Sequence, residues 1–300
     1  MHNDKVTVKL QGGVGNQLFI YFAGLALATK RSLPLVIDIS LLKLGLTVHE
    51  SDIYRLDLDL NEKIEKPLGT IGALRHRIWN KLMRISLSLK WLDEKIFLNY
   101  RSKKVGYDEK IWNLPGGSTL FGYYQSWKYF DFVKKKGLVN SVLPRTPSIW
   151  FQNSLAEISG QNPIAIHVRR GDYEKVADKF GLLSKVYYLD ALKKVRDGGF
   201  TGPIWVFSDD IRLAKSLLNE GEFISAKFIE QSEDSSPEES LILMSMAKVI
   251  VIANSTYSWW AASLNMEKNL VIAPKTWFKS MEAPEYLLPD SWMKVESAWV

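Results

Sequence analysis

Residues 164–173 read IAIHVRRGDY, a short apolar run that passes without a break into His167, Arg169, Arg170 and Asp172. Small and branched apolar residues predict a buried strand, and that strand delivers two permanent positive charges to its carboxyl end. Side chains alternate between faces along a strand, so His167 and Arg169 share one face while Val168 and Arg170 take the other. Ligands of open parallel sheets bind beyond the carboxyl ends of the strands. His167 and Arg169 are therefore expected to face a ligand crevice together. Arg170 is expected to turn back towards an internal carboxylate, with Asp172 the nearest in sequence. One structural ion pair would use a single arginine; two arginines and a histidine suit an anionic ligand better, since the planar guanidinium fork is the preferred phosphate clamp.

Two more strand ends carry polar clusters. VFSDD (206–210) closes a strand with Ser208, Asp209 and Asp210. A carboxylate there can accept paired hydrogen bonds from a purine edge such as guanine, or it can cap the next helix. ANSTYSWW (253–260) places Asn254, Ser255 and Thr256 where a strand gives way to a helix. Free backbone N–H groups and hydroxyls at a helix N-terminus form a phosphate site; the plainer alternative is an ordinary N-cap. Trp259 and Trp260 are expected in the core.

Near the amino terminus, GGVGNQ (12–17) follows another short strand. Gly13 and Gly15 fit the opening of the dinucleotide fingerprint, and Asp38 ends the second strand at about the right distance for a ribose contact. Leu18 stands where the third glycine or alanine belongs. Asn16 and Gln17 place two amides beside the glycines. Asp57-x-Asp59 in RLDLDLN has the pattern that binds manganese in many sugar transferases, but it alternates with leucines as a solvated strand face does.

The elements that hold these residues follow from periodicity. Residues 6–10 read as a strand, 17–31 as a mostly buried helix and 33–40 as a second strand, a parallel-sheet signature. From Pro163 onward strands at 164–169, 203–210, 226–230, 248–255 and 269–274 alternate with helices. One helix opens with Ser236 as N-cap, Pro237 at its first position and Glu239 completing a capping box. The polar, proline-punctuated stretch 143–163 reads as a linker. The expected fold class is α/β, with two Rossmann-like parallel-sheet domains at 1–150 and 151–300. Residues 71–90 place Ile71, Leu74, Ile78, Leu82, Ile85 and Leu89 at helical spacing between basic residues, which suits a solvated surface helix or one lying on an anionic bilayer.

Composition narrows the class. The 300 residues are 46% apolar, enough for sizeable cores. There is no cysteine, which excludes thiolate catalysis and cysteine-ligated metal, and the four histidines lack metal-ligand spacing. No apolar segment has the length of a membrane span, and the start lacks the apolar core of a signal peptide, so a soluble cytoplasmic protein is expected. A net charge of +6 favours acidic partners: phosphorylated ligands, nucleic acid or an anionic membrane surface.

Taken together, GGVGNQLF at 12–19, HVRRGDY at 167–173, FSDD at 207–210 and NSTYSWWAA at 254–262 resemble the bacterial family of inverting α-1,2-fucosyltransferases. The second of these also recurs in the wider group of α-1,2-, α-1,6- and protein O-fucosyltransferases. The resemblance implies a GT-B architecture, with an acceptor-side domain at 1–150 and a GDP-sugar domain at 151–300 facing a central cleft. It implies GDP-fucose as co-substrate, a β-galactoside acceptor, no cofactor and no metal. It matches Arg169 to the arginine on the donor β-phosphate and His167 to a residue near the guanosine. One of Asp209 and Asp210 corresponds to the guanine-reading carboxylate, and Ser255 and Thr256 to the phosphate turn. Asn16 falls beside the transferred fucose and the acceptor. Asp172, Glu174 and His167 are candidates for the general base, Asp172 being equally a partner for Arg170.

Two readings from other classes stay open. An NAD(P)-linked oxidoreductase would use Gly13, Gly15 and Asp38, leaving the paired arginines unexplained. A nucleic-acid-binding module would exploit the positive charge, though no RNA-recognition motif is visible.

Overall fold

The computed structural model describes residues 5–42, 53–58, 60, 62–64, 99–139, 141–264 and 270–300, with the side chains of 62–64, 99, 172 and 175 left aside. Asp59 and the amphipathic stretch 71–90 lie outside the described residues, as does the side chain of Asp172. Packing divides the chain into two units. The first comprises Met1–Tyr54, Leu58–Asn140 and Pro284–Leu287; the second comprises Arg55–Asp57, Ser141–Ala283 and Leu288–Val300.

The first unit is built on strands β1 (Val6–Lys9), β2 (Leu35–Asp38), β3 (Glu62–Ile64), β4 (Asn99–Arg101) and β5 (Thr119–Phe121). All pair in parallel, in the order β3-β2-β1-β5-β4. Helix α1 (Val14–Arg31) links β1 to β2 and is buried along most of its length, as its nearly continuous apolar sequence requires. Gly24 lets it close on the sheet, because a Cβ there would lie 2.2 Å from Val8 Cγ1. Lys30 and Arg31 occupy the last turn of α1, where cations favour the helix dipole, and Ser32 ends it in the left-handed conformation. Helix α2 (Trp127–Lys135) follows β5.

The second unit carries β6 (Ile164–Val168), β7 (Ile204–Ser208), β8 (Lys227–Phe228), β9 (Val249–Val251), β10 (Leu270–Pro274) and β11 (Met293–Val295). They too pair in parallel, and from one edge the order is β8-β7-β6-β9-β10-β11. This is the doubly wound dinucleotide-fold order. Its helices are α3 (Ile149–Gln161), α4 (Ala177–Phe180), α5 (Lys185–Asp197), α6 (Ile211–Leu217), α7 (Pro237–Ser245) and α8 (Thr256–Leu264). Every residue of β6 and β9 is buried, which explains why both read as unbroken apolar runs. Ile164, Ile166 and Val168 pack with Val206, Val251, Tyr187 and Ala191 in one core. Trp259 and Trp260 are fully buried, as their position on α8 predicts.

Two local expectations meet different outcomes. The capping box at α7 is complete: Ser236 Oγ accepts from Glu239 N–H, and Glu239 Oε2 accepts from Ser236 N–H at 2.9 Å. The stretch 143–163 is not a linker, because α3 occupies most of it. Ser148 caps this helix by accepting from Phe151 N–H at 3.1 Å, and Asn162 ends it at φ 47°. Only Phe151 and Ile158 of α3 are buried, so a one-sided helix presents the polar composition of a loop.

Candidate active site

In the second sheet the chain runs outward from β6 through β7 to β8, then returns to the other side of β6 as β9. The crevice at such a reversal, beyond the strand ends, is where this class of sheet binds ligands. The candidate residues lie there: His167 and Arg169 at the end of β6, Ser208, Asp209 and Asp210 at the end of β7, and Asn254, Ser255 and Thr256 after β9.

Arg169 Nη1 lies 3.3 Å from Asp209 Oδ2, and the two side chains are 15% and 21% exposed. The guanidinium also sits 5.1 Å above the ring of Tyr173. Asp209 Oδ1 accepts the backbone N–H of Arg170 at 2.9 Å, so one carboxylate fixes both the arginine side chain and the turn that carries it. Gly171 makes this approach possible, since a Cβ there would fall 2.3 Å from Asp209 Oδ2. Arg170 points inward as expected and is buried, but Nη2 donates at 2.5 Å to the carbonyl of Leu183, where a carboxylate was expected.

His167 is 2% exposed and stacks on Tyr257, with ring centroids 5.4 Å apart. Burial first, and the neighbouring Arg169 charge second, push its pKa down to about 3. The imidazole is therefore neutral at physiological pH and contributes its shape and its stack on Tyr257, not charge. The linkage has a definite sign. The unfolded chain takes up the proton near pH 6.5 and the folded chain only near pH 3, so the folded state loses stability as pH falls through that window. The slope is about 1.4 kcal/mol per pH unit for one such group. Denaturant titrations of His167→Gln from pH 7 to pH 4 should show a shallower pH dependence than the wild type; identical slopes would contradict the assignment.

Asp210 serves as the N-cap of α6, its Oδ1 accepting from Leu213 N–H at 2.8 Å, while Ser208 Oγ accepts from Asp210 N–H at 3.1 Å. The Asn254 amide is tied to the α4 terminus, donating to the carbonyls of Phe180 at 2.9 Å and Gly181 at 3.2 Å. Ser255 Oγ accepts from Tyr257 N–H at 3.3 Å at the start of α8, and Thr256 is the first residue of that helix. The second strand end thus braces an arginine, and the third opens a helix N-terminus beside it.

In the first unit the glycine turn belongs to Gly12, at φ +75°, whereas Gly13 is the α1 N-cap at φ −71° and Gly15 lies inside the helix. Gln17 Nε2 donates to Gly12 O at 2.9 Å, pinning the turn. Asn16 is half-buried and accepts at Oδ1 from Gln125 Nε2 at 2.9 Å. Asp38 Oδ1 accepts from Ser40 N–H at 2.9 Å and Oδ2 lies 3.9 Å from Lys9 Nζ, so this carboxylate already has local partners.

Tyr173, Tyr257, Gly171 and Gln125 join these arrangements without having been singled out from the sequence. Tyr173 and Gly171 lie inside the RRGDY run, where a residue chosen to flank an arginine looks like any loop residue. Gln125 sits in an aromatic stretch with no chemical periodicity of its own.

Two parallel-sheet units, the second of doubly wound order with an arginine braced at its switch point, have the GT-B architecture. The profile of glycosyl transferase family 11 matches residues 5–295, and the chain belongs to that family. The alpha-1,2-colitosyltransferase of Escherichia coli is 30% identical over 300 residues, covering 97% of this chain and 99% of that protein. The O-antigen biosynthesis glycosyltransferase WbnK of Escherichia coli is 29% identical and covers 95% and 99%. A solved structure of NodZ alpha-1,6-fucosyltransferase soaked with GDP-fucose aligns with a TM-score of 0.51 at 13% identity, over 94% of this chain and 100% of that one. The protein is accordingly a glycosyltransferase with two α/β units. Among the described residues no helix is long and apolar enough to cross a membrane.

Proposed function

We propose that this glycosyltransferase moves L-fucose from GDP-β-L-fucose to the 2-hydroxyl of a terminal β-galactoside, with inversion and without a metal, in O-antigen-type glycan synthesis. The observation that carries the reading is the Arg169–Asp209 pair at the β6–β7 strand ends, facing the α8 N-terminus across the switch point of a dinucleotide-type sheet. The name of one bacterial relative supports α-1,2 transfer, and that of the other supports O-antigen synthesis.

In this reading the second unit takes the donor and the first unit faces the acceptor. Loss of GDP proceeds through an oxocarbenium-like transition state while the acceptor hydroxyl attacks the opposite face of the sugar. Negative charge accumulates on the β-phosphate. Arg169 supplies a fixed counter-charge, and the N–H groups at the start of α8, near Ser255 and Thr256, supply oriented dipoles. Asp209 and Tyr173 hold the guanidinium in place before the ligand arrives. Asn254 contributes through its backbone, because its amide is committed to α4. Asp172, Glu174 and His167 are the candidates for the general base, with burial beside Arg169 weakening the basicity of His167.

A second reading, colitosyl transfer, is favoured by the 30% identity to the colitosyltransferase. Colitose lacks the 3-hydroxyl of fucose, so the two donors differ in one hydrogen-bonding group. The deciding experiment incubates the protein with a panel of sugar nucleotides, GDP-fucose and GDP-colitose among them, and with β-galactosides such as lactose in the presence of EDTA. The expected product is an α-1,2-linked fucoside formed in EDTA. Exclusive use of another donor, or strict dependence on added metal, would refute the proposal. Thermal protection by GDP and not by NADH separates the transferase from an oxidoreductase, a separation already favoured by the local partners of Asp38.

A further inference from the structure

We infer that Gln125 is a positioning residue that acts through Asn16, fixing the Asn16 amide so that its N–H donors, not its carbonyl, face the reacting sugars. The inference rests on the transferase reading above, in which the Asn16 loop faces the acceptor. It stands on a juxtaposition within the first unit. That sheet also reverses: β2 lies on one side of β1 and β5 on the other, with Thr7 opposite Thr119 and Val8 opposite Leu120. Asn16 follows β1 and Gln125 follows β5, so their hydrogen bond spans the strand ends that border the switch point.

An asparagine amide can rotate by half a turn and exchange its donor for its acceptor at little local cost. Here Gln125 Nε2 donates to Asn16 Oδ1 at 2.9 Å, which ties the orientation of the Asn16 amide to that of Gln125. Asn16 Nδ2 then lies over Gly12, so close that a Cβ on that glycine would meet it at 2.8 Å.

The backbone around Gln125 is itself held. It is 8% exposed, and its N–H donates to Val105 O at 2.7 Å. Before it, Tyr124 is fully buried at φ +52°, a conformation rarely adopted by a bulky residue. After it, Ser126 donates its N–H to Tyr124 O and accepts from Lys128 N–H as the α2 N-cap. A strained backbone that persists in a packed environment invites a functional reason, and aiming the Gln125 side chain across the sheet end supplies one.

The test uses Gln125→Glu, which keeps the shape but, when ionised, cannot donate. The Asn16 amide should then flip to offer Nδ2 to the carboxylate. Transfer kcat is expected to fall on the order of 10- to 100-fold, with donor KM changed by less than about threefold, as misorientation at the reacting centre predicts. Lowering the pH should restore activity relative to wild type, because the protonated acid again donates, and burial raises its pKa into a workable range. Gln125→Met should show the same loss without the pH-dependent recovery; it carries the comparison if the glutamate variant does not fold. In an Asn16→Ala background, neither change at 125 should reduce kcat further. Wild-type kinetics from Gln125→Glu, losses that multiply in the double variant, or an Asn16→Ala variant with normal turnover would each overturn the inference while leaving the transferase reading intact. The assay runs with whichever sugar nucleotide the wild type accepts. A wild type that transfers no sugar would sink the transferase reading, and this inference with it.

Discussion

Arg169→Lys is expected to lose sugar transfer nearly as completely as Arg169→Ala, by a factor of about 10²–10³ in kcat. Loss of one preorganised donor to a developing oxyanion costs about 2.7–4 kcal/mol. Charge alone does not decide the outcome, because lysine keeps it. The guanidinium has several donors in a plane, and one edge is occupied: Nη1 stands 3.3 Å from Asp209 Oδ2. An arginine can hold that carboxylate and still direct N–H groups at a diphosphate. A lysine ammonium is a single point charge on a flexible stem. Paired with Asp209 it turns away from the phosphate; turned to the phosphate it abandons Asp209, which then lies beside the donor as an uncompensated negative charge. Either arrangement fails to stabilise the leaving group. Tyr173 adds to the difference, since a planar cation 5.1 Å from its ring loses its stacking partner when the plane is removed. Steady-state kcat with donor and acceptor saturating, alongside the melting temperature of each variant, checks the result. Turnover by the lysine variant close to wild type would show that a positive charge is all the site needs.

The parts of this site that were legible in the sequence are those whose chemistry lies along one strand end. His167, Arg169 and Arg170 announce themselves because buried strands rarely end in such residues, and the inward turn of Arg170 follows from alternation alone. Strands β6, β7 and β9 were recognisable because burial on both faces makes them continuously apolar. The α7 start was legible because a capping box is a local, three-residue-spaced signal. Partnerships across the fold were not. The pairing reverses the expected one: Arg169, expected to face only a ligand, is held by Asp209 at the end of β7, whereas Arg170, expected to meet an internal carboxylate, donates to the carbonyl of Leu183. Asn254 looks like part of a phosphate turn, but its side chain is spent on two carbonyls at the end of α4. The glycine loop illustrates a subtler limit. Its resemblance to a dinucleotide fingerprint drew attention to Gly13 and Gly15, whereas the position that demands glycine is Gly12, at φ +75°. Backbone dihedrals at a strand–helix turn are set by the packing of both elements, which a spacing pattern does not report. Helix α3 was hidden for the same kind of reason: with two buried residues, its apolar face is too sparse to give a period.

The second large effect concerns stability, and it falls on Glu239. This glutamate is 2% exposed and caps two helices at once. Its Oε2 accepts from Ser236 N–H at 2.9 Å, closing the α7 capping box, and from Ser148 Oγ at 3.0 Å. Its Oε1 accepts from Ser148 N–H at 2.5 Å, at the residue that caps α3. Glu239→Ala strands the buried N–H of Ser236 together with the half-buried N–H and hydroxyl of Ser148. Hydrogen bonds to charged groups contribute about 1.5–3 kcal/mol each, and shared partners make the losses less than additive, so a cost of about 3–5 kcal/mol is expected. For a unit of this size that is a fall of about 10 °C in melting temperature. Glu239→Gln should recover only part of it, because one carbonyl oxygen cannot serve both backbone donors and the amide nitrogen would face the other. The consequence reaches the site. Tyr257 donates its hydroxyl hydrogen to Pro237 O at 2.6 Å, in the first turn of the helix that Glu239 caps, and its ring stacks on His167. Loosening the α7 N-terminus therefore loosens the ring against which His167 is held. Thermal unfolding of the two variants, with and without GDP, measures both effects. A Glu239→Ala protein that melts within about 2 °C of wild type would mean that solvent replaces these bonds without penalty, contrary to the cost expected of buried unsatisfied donors.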